Sequence, residues 1–302
     1  MQPHKISVRF ASYHLYPSVK EGTHLNQTPI QNGTPFSEER TREIIREFKR
    51  DGFVLIPDVL EKDEMKALRD KTDALFDDPK TVENGYLREN HFIVWQPNEL
   101  DRIFCDLLIR EPIFSLMEAI FGKGFQHCGN QVLRNDHTQA IDHWHVDDSL
   151  FYPLPDDVPR HDPRIDMPIM WLTVQIALND IDSIECGPSQ YVPGSHYSGR
   201  NPPKTDPPTF EGRGPVSVLC KAGDIYLHNP QCWHRGTPNR SGRYRYLLQQ
   251  QYGPAWAFLR YNAYIQHRIP EHLFEDADRR LLELHDDMHS RSEARYTGSE
   301  RK

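Results

Sequence analysis

The sequence predicts a mainly β domain, a sandwich or a barrel, with helices that flank it. Before Gly124, apolar residues recur at helical spacing, as Ile44, Ile45 and Phe48 do. After Gly124, short segments of β character alternate with turns rich in proline and glycine. Such spacing is typical of sandwiches and barrels rather than of a parallel sheet.

The composition of the 302 residues allows a buried core and excludes several classes of protein. Hydrophobic residues make up 37% and aromatic residues 11%, which argues against disorder. The net charge of −8 is unlike that of a nucleic-acid-binding protein. No span of 18 apolar residues and no early apolar run occur, so we expect a soluble, cytoplasmic protein without membrane partners. Five scattered cysteines without a CxxC pair are expected to be reduced thiols.

Each predicted element follows from a local pattern. Ser37 can cap a helix that stops at Gly52, and Phe53 opens a short buried strand closed by Pro57. Further helices are predicted at 61–76, on both sides of Pro112 and near 271–285. After Gly124 the predicted β segments are 125–134, 142–148, 170–178, 189–192, 215–220, 223–228 and 243–252.

The stretch from His143 to Asp148 is a candidate metal site. In an extended strand, residues i and i+2 point to the same face, about 6.6 Å apart, so His145 and Asp147 can meet on one ion. Two histidines and one carboxylate suit non-haem Fe(II) oxygenases, so a second histidine must come from elsewhere. His143 lies on the same face and could compete as a ligand. Alone, H-x-D is a common tripeptide in a chain with 16 histidines.

The segment 243–252 is a candidate anion-binding strand. Its alternation places Arg243 and Arg245 on one face. An arginine that points into a barrel needs an anion, because a buried unpaired guanidinium is costly, and its planar fork matches a carboxylate. The alternative is a surface strand whose arginines face water. Upstream, His228 is expected to face the core or solvent.

Six motifs resemble, in family order, those of the phytanoyl-CoA dioxygenase family of Fe(II)- and 2-oxoglutarate-dependent oxygenases. Each motif is weak alone, whereas the ordered set is specific and runs from about residue 40 to 250. The motifs are F-K-R-D-G-F-V-L-I-P (48–57), H-V-D (145–147), I-A-L-N-D (176–180), G-P-S-Q-Y-V-P-G-S-H (187–196), G-D (223–224) and H-R-G-T-P-N-R-S (234–241).

The resemblance implies a double-stranded β-helix (jelly-roll) core with N-terminal helices packed on it. It also implies one catalytic domain over 1–302. The divisions expected within it are an N-terminal arm (1–36), a helical flank (37–124), the jelly-roll core (125–252) and a C-terminal helix and tail (253–302).

By motif position, the resemblance implies that His145, Asp147 and His234 hold iron. Arg245, eleven residues after His234, falls where the family binds the far carboxylate of 2-oxoglutarate. Arg243 is the fallback for this role, and His143 is given a role beside the metal ligands or the cosubstrate.

The implied reaction hydroxylates an unactivated C–H bond of a small-molecule metabolite with O₂ and 2-oxoglutarate, and it releases succinate and CO₂. Family halogenases lack the carboxylate, so Asp147 indicates an oxygenase. The long irregular segment 150–168, with Phe151 and Tyr152, is expected to form a lid that excludes water. The alternative is a non-enzymatic or cupin-like module that binds metal or sugar, which leaves Arg245 without a role.

Overall fold

The computed structural model describes residues 28–87, 92–258 and 278–284. The helices within these ranges are α1 (Glu38–Asp51), α2 (Lys62–Asp77), α3 (Pro79–Glu83), α4 (Arg102–Leu108), α5 (Ile113–Phe121), α6 (Ala255–Phe258) and α7 (Arg279–Leu284). The strands are β1 (Phe53–Ile56), β2 (Ile93–Trp95), β3 (Gln126–Asn135), β4 (Leu172–Ala177), β5 (Ser189–Tyr191), β6 (Val216–Ser217), β7 (Ile225–His228), β8 (His234–Gly236) and β9 (Arg245–Gly253).

The strands form two antiparallel sheets. The major sheet has the order β1-β7-β4-β9-β3-β2, and the minor sheet has the order β6-β5-β8. Buried residues of both sheets meet in one cluster, in which Leu133 and Leu247 of the major sheet join Tyr191 of the minor sheet. The predicted double-stranded β-helix (jelly-roll) fold is confirmed.

The helices pack on the other face of the major sheet. Ile44 and Phe48 of α1 share a buried cluster with Leu68 of α2 and with Val174 and Leu248 of the sheet. Strand β9 therefore alternates, because Leu248 faces the helices whereas its neighbours Leu247 and Gln249 face the minor sheet. This alternation leaves one face of the major sheet free to line a site.

Three sequence predictions need correction. Residues 142–148 do not form a strand, since only His145 makes a β-bridge and Asp148 turns the backbone with a φ of 56°. The helical flank contains β2, which pairs with β3 at the sheet edge. Strand β9 begins at Arg245 after the turn at Gly242, so Arg243 does not share the inward face of the strand.

Most of the other predicted elements are found. Helix α1 begins after Ser37, whose hydroxyl accepts from the backbone of Arg40, and it ends at Gly52. All five cysteines carry free thiols. The predicted C-terminal helix is described only at Arg279–Leu284, and residues 1–27 of the predicted arm (1–36) lie outside the described residues. No helix in the described ranges is long and apolar enough to span a membrane. The division of the chain into arm, flank, core and tail stays a prediction.

Candidate metal centre

Two backbone segments bring the predicted ligands together. His145 and His234 form an antiparallel bridge with two backbone hydrogen bonds of 3.0 Å each. The backbone N–H of Asp147 donates to the carbonyl of Pro230 at 2.8 Å, in the turn that precedes β8. These contacts hold residues 145–147 against β8, although the segment is not a strand.

The side chains of His145, Asp147 and His234 offer donor atoms that lie within 4.8 Å of one another. The Nε2 atoms of His145 and His234 lie 3.7 and 3.5 Å from Oδ1 of Asp147. Each Nδ1 lies beside a backbone carbonyl two residues earlier, at 2.9 Å from His143 and 2.8 Å from Cys232. Because a carbonyl only accepts, each Nδ1 carries the hydrogen and donates it. Both Nε2 lone pairs are therefore free to bind a metal.

The charges of this group suit a cation. Burial, together with the neighbouring His234, lowers the pKa of His145 to about 4, so its imidazole is neutral at pH 7. Burial alone would raise the pKa of Asp147. The neighbouring imidazole of His234 and the hydrogen bond from His228 outweigh burial and hold the pKa of Asp147 below its usual range. A neutral imidazole and an ionised carboxylate are the forms that bind metal ions.

His228 is a site residue whose contact with Asp147 the sequence did not predict. It is 1% exposed, and its Nε2 lies 3.0 Å from Oδ2 of Asp147. Because burial lowers the pKa of His228 to about 4, the neutral ring donates this hydrogen bond to the carboxylate. The prediction of a strand histidine that faces the core is therefore borne out, whereas its contact with Asp147 was not predicted. Its place six residues before His234, across a turn, was the available signal.

Arg245 lines the same cavity as the three predicted ligands. It is 5% exposed, and burial lowers the pKa of its guanidinium from the ordinary value. The guanidinium donates to Oδ1 of Asn135 at 2.9 Å and to the carbonyl of Gly187. Among the described residues, no carboxylate forms an ion pair with it. A buried cation on a cavity wall thus keeps part of its hydrogen-bonding capacity for an anionic ligand.

The structure does not bring Arg243 or the ring of His143 into this cavity. The side chain of Arg243 is 52% exposed and contacts Asp182 at 3.3 Å and the thiol of Cys186. The ring of His143 is exposed, with its centroid 5.0 Å from that of His145. Its backbone carbonyl, rather than its ring, contributes to the site.

The segment 150–168 lies elsewhere than the lid prediction supposed. Phe151 and Tyr152 line a second cavity, formed with residues 196–200, rather than the cavity of the predicted ligands. The guanidinium of Arg200 holds the segment by donating to carbonyl oxygens of Pro155 and Val158, each at 2.6 Å. A proline-rich sequence without secondary structure is therefore fixed by side-chain contacts to the backbone.

Comparison with known proteins gives one family and several structures of similar fold. A family model described as phytanoyl-CoA dioxygenase matches residues 48–246. HygX from Streptomyces hygroscopicus, with nickel and 2-oxoglutarate bound, is 20% identical with a TM-score of 0.52; the match covers 71% of this chain and 87% of HygX. AviO1 from Streptomyces viridochromogenes Tue57 is also 20% identical, with a TM-score of 0.50, over 71% of this chain and 95% of AviO1.

A third similar structure is the epimerase SnoN in complex with Fe³⁺, alpha ketoglutarate and nogalamycin RO. It is 21% identical with a TM-score of 0.55, and the match covers 72% of this chain and 85% of SnoN. Iron and 2-oxoglutarate, which the sequence predicts as cofactor and cosubstrate, are thus groups that proteins of this fold carry.

Proposed function

Because the chain belongs to the phytanoyl-CoA dioxygenase family, we propose that it is an Fe(II)- and 2-oxoglutarate-dependent oxygenase that hydroxylates a small-molecule metabolite. His145, Asp147 and His234 hold the iron. Their donor set fits, because two imidazole nitrogens and one carboxylate are typical of non-haem Fe(II) oxygenases. When bound, iron, O₂ and 2-oxoglutarate supply the oxidising chemistry, and 2-oxoglutarate leaves as succinate and CO₂.

The buried guanidinium of Arg245 is the observation that carries this proposal. A guanidinium without a carboxylate partner is costly to bury, so its position on the cavity wall supports an anionic ligand there. A bidentate contact with the far carboxylate of 2-oxoglutarate would satisfy it. Arg243 is exposed and paired with Asp182, so we assign the anchor to Arg245.

The place of the Arg245 guanidinium beside Gly236, two residues along β8 from His234, suits a ligand as long as 2-oxoglutarate. A Cβ built on Gly236 would lie 3.8 Å from Nη2 of Arg245, which places that residue of β8 beside the guanidinium. His234 lies two residues earlier on β8, about 6.6 Å along a strand. The four C–C bonds of a five-carbon diacid, each about 1.5 Å, form a zigzag that spans about 5 Å, and the carboxylate oxygens at both ends extend this reach. One end of the molecule can therefore reach the metal while the other binds Arg245.

Calorimetry with Mn(II) in place of Fe(II) tests the proposal. A hydrogen bond to a charged group contributes about 1.5–3 kcal/mol, so Arg245→Ala should weaken 2-oxoglutarate binding by roughly 10- to 150-fold. Arg245→Lys should recover only part of the affinity, because it keeps the charge and loses the fork. Both variants should bind Mn(II) like the parent.

Two further sets of variants complete the experiment. Arg243→Ala, in the turn that precedes β9, should bind 2-oxoglutarate like the parent. His145→Ala and His234→Ala should each abolish tight metal binding, because two ligands remain. A parent protein that binds metal and not 2-oxoglutarate would contradict the proposal and favour the non-enzymatic metal-binding jelly roll.

A further inference from the structure

A row of glutamine side chains crosses the face of the major sheet that lines the metal cavity. Strand pairing places Gln175 of β4 opposite Gln249 of β9, and Gln249 opposite Gln131 of β3. All three line the cavity. One pleat further along, Thr173 and Gln251 are paired in the same way and also line it. The wall that faces the predicted metal ligands is therefore made of amides and a hydroxyl.

The amides in this row have unused hydrogen-bonding capacity. Nε2 of Gln131 donates to Oε1 of Gln249. Among the described residues, the buried Oε1 atoms of Gln131 and Gln175 have no hydrogen-bond partner, and Gln175 is only 5% exposed. Buried polar atoms are normally paired, and unpaired ones are costly. A glutamine amide can donate as well as accept, so the row can bind hydroxyl or amide groups of a ligand.

The row is separate from the part of the cavity assigned to the cosubstrate. Along β9, the inward residues are Arg245, then Leu247, then Gln249, at about 6.6 Å per step. Leu247 pairs with Leu133, and both belong to the apolar cluster between the sheets. Apolar side chains suit the two methylene groups of 2-oxoglutarate beyond the Arg245 contact. The glutamines lie on the far side of Leu133 and Leu247 from Arg245.

Charge is almost absent from the wall beside the row. Asp147 is the one carboxylate among the described residues that line the cavity. Of the two arginines there, Arg245 is assigned to the cosubstrate. Arg235 already pairs with the carboxylate of Asp206 at 3.5 Å. It also donates to Gln190 at 2.9 Å and stacks 4.7 Å from the ring of Trp144. A charged substrate would find no free partner on this wall.

We infer that Gln131, Gln175 and Gln249 bind the primary substrate, and that this substrate is a neutral small molecule rich in hydroxyl or amide groups. The inference rests on the proposed function and names its substrate class. An acyl chain or a terpene would cover the amides without pairing them. A site built to hydrogen-bond a substrate strongly rejects an analogue that lacks those groups.

Binding to the protein loaded with Mn(II) and 2-oxoglutarate tests the inference, with two panels of equal size in non-hydrogen atoms. One panel holds methyl glycosides and cyclitols, and the other holds alkyl and terpene alcohols. The parent should bind members of the first panel at least about tenfold more tightly than any member of the second. With Fe(II), the same members should stimulate succinate release.

The variants Gln175→Leu and Gln249→Leu should each weaken binding of the first panel by about tenfold, because a polar group then meets an apolar side chain. Their affinity for 2-oxoglutarate should stay within about twofold of the parent. Gln250→Leu is the matched control. Gln250 is buried on β9 beside Gln249 but does not line the cavity, and its Oε1 accepts a hydrogen bond from the hydroxyl of Tyr252. It should leave the preference between panels unchanged.

Three outcomes would overturn the inference while the parent still binds 2-oxoglutarate. They are tighter binding of the apolar panel, binding of neither panel, and loss of 2-oxoglutarate affinity in the glutamine variants, which would assign the row to the cosubstrate. Failure of the parent to bind 2-oxoglutarate at all would instead contradict the proposed function.

Discussion

Asp147 divides its two carboxylate oxygens between different partners. Oδ1 faces Nε2 of both His145 and His234, at 3.7 and 3.5 Å. Oδ2 accepts the hydrogen bond from His228 at 3.0 Å. With one oxygen occupied by His228, the carboxylate can offer the other to a metal in a fixed orientation. His228 is therefore a positioning residue, since it acts through Asp147.

Removal of the His228 contact should weaken metal binding. The side chain of His228→Asn is too short to reach Asp147, so we expect a 10- to 100-fold loss of Mn(II) affinity, the usual effect of losing a group that orients a ligand. His228→Gln keeps an N–H donor and should recover part of the affinity. Calorimetry with Mn(II) measures both.

The matched control is His196→Asn. His196 is a partly buried histidine whose pKa burial lowers to about 4, but its Nε2 donates to the carbonyl of Lys49, away from the metal ligands. It should lower the melting temperature and leave metal affinity unchanged. Equal metal affinity in His228→Asn and the parent would remove His228 from this role.

At the scale of elements, the sequence pattern predicted the helices and strands whose positions follow from which side chains are buried. Strand β4 is a continuous buried run, and α1 keeps a helical stripe that contains Ile44 and Phe48, so both were predicted within two residues at each end. The segment 142–148 was predicted as a strand because it is a short segment of β character among turns. Its conformation depends instead on β8 and on the turn at Pro230, which lie more than 80 residues away.

The junction of α1 and β1 depends on a glycine for two reasons. Gly52 has a φ of 83°, and a Cβ there would lie 2.6 Å from Nδ1 of His196 and 3.0 Å from Cβ of Cys232. Gly52→Ala should therefore lower the free energy of unfolding by about 1–2 kcal/mol for the left-handed backbone, and by a further roughly 1–3 kcal/mol for the overlap.

Gly85→Ala isolates the backbone contribution. Gly85 has a φ of 77°, and nothing lies within 4 Å of a Cβ built there, so only about 1–2 kcal/mol should be lost. Urea denaturation measures both variants. Equal losses in the two would mean that the segment with His196 and Cys232 yields to the added methyl group without cost.

At the scale of the whole molecule, the site exists only once the strand order is known. Motif order was enough to identify His145, Asp147, His234 and Arg245 as candidates. It could not place Gln131, Gln175 and Gln249 in one row, because they come from strands that are neighbours in space, whereas in sequence Gln249 lies 74 residues from Gln175 and 118 from Gln131. The contact of His228 with Asp147 was missed for the same reason, since the two residues are 81 positions apart.

The metal and 2-oxoglutarate, as proposed, contact both sheets. Their binding should therefore stabilise the whole fold. Arg245 lies on the major sheet, whereas His234 lies on the minor sheet, so 2-oxoglutarate held between them and the metal would link both. A ligand at 100 times its dissociation constant stabilises the folded state by about 2.7 kcal/mol. Mn(II) should raise the melting temperature, and 2-oxoglutarate added with Mn(II) should raise it further.

The variants should separate the increase in melting temperature with Mn(II) from the further increase with 2-oxoglutarate. Arg245→Ala should keep the increase with Mn(II) and lose most of the increase with 2-oxoglutarate, whereas His234→Ala should lose both, because the cosubstrate also needs the metal. Arg243→Ala should keep both, since its side chain is exposed on a turn. Differential scanning calorimetry measures all four proteins at equal concentration. If 2-oxoglutarate stabilises the parent equally with and without Mn(II), it binds independently of the metal, and the assignment of one end to the metal is wrong.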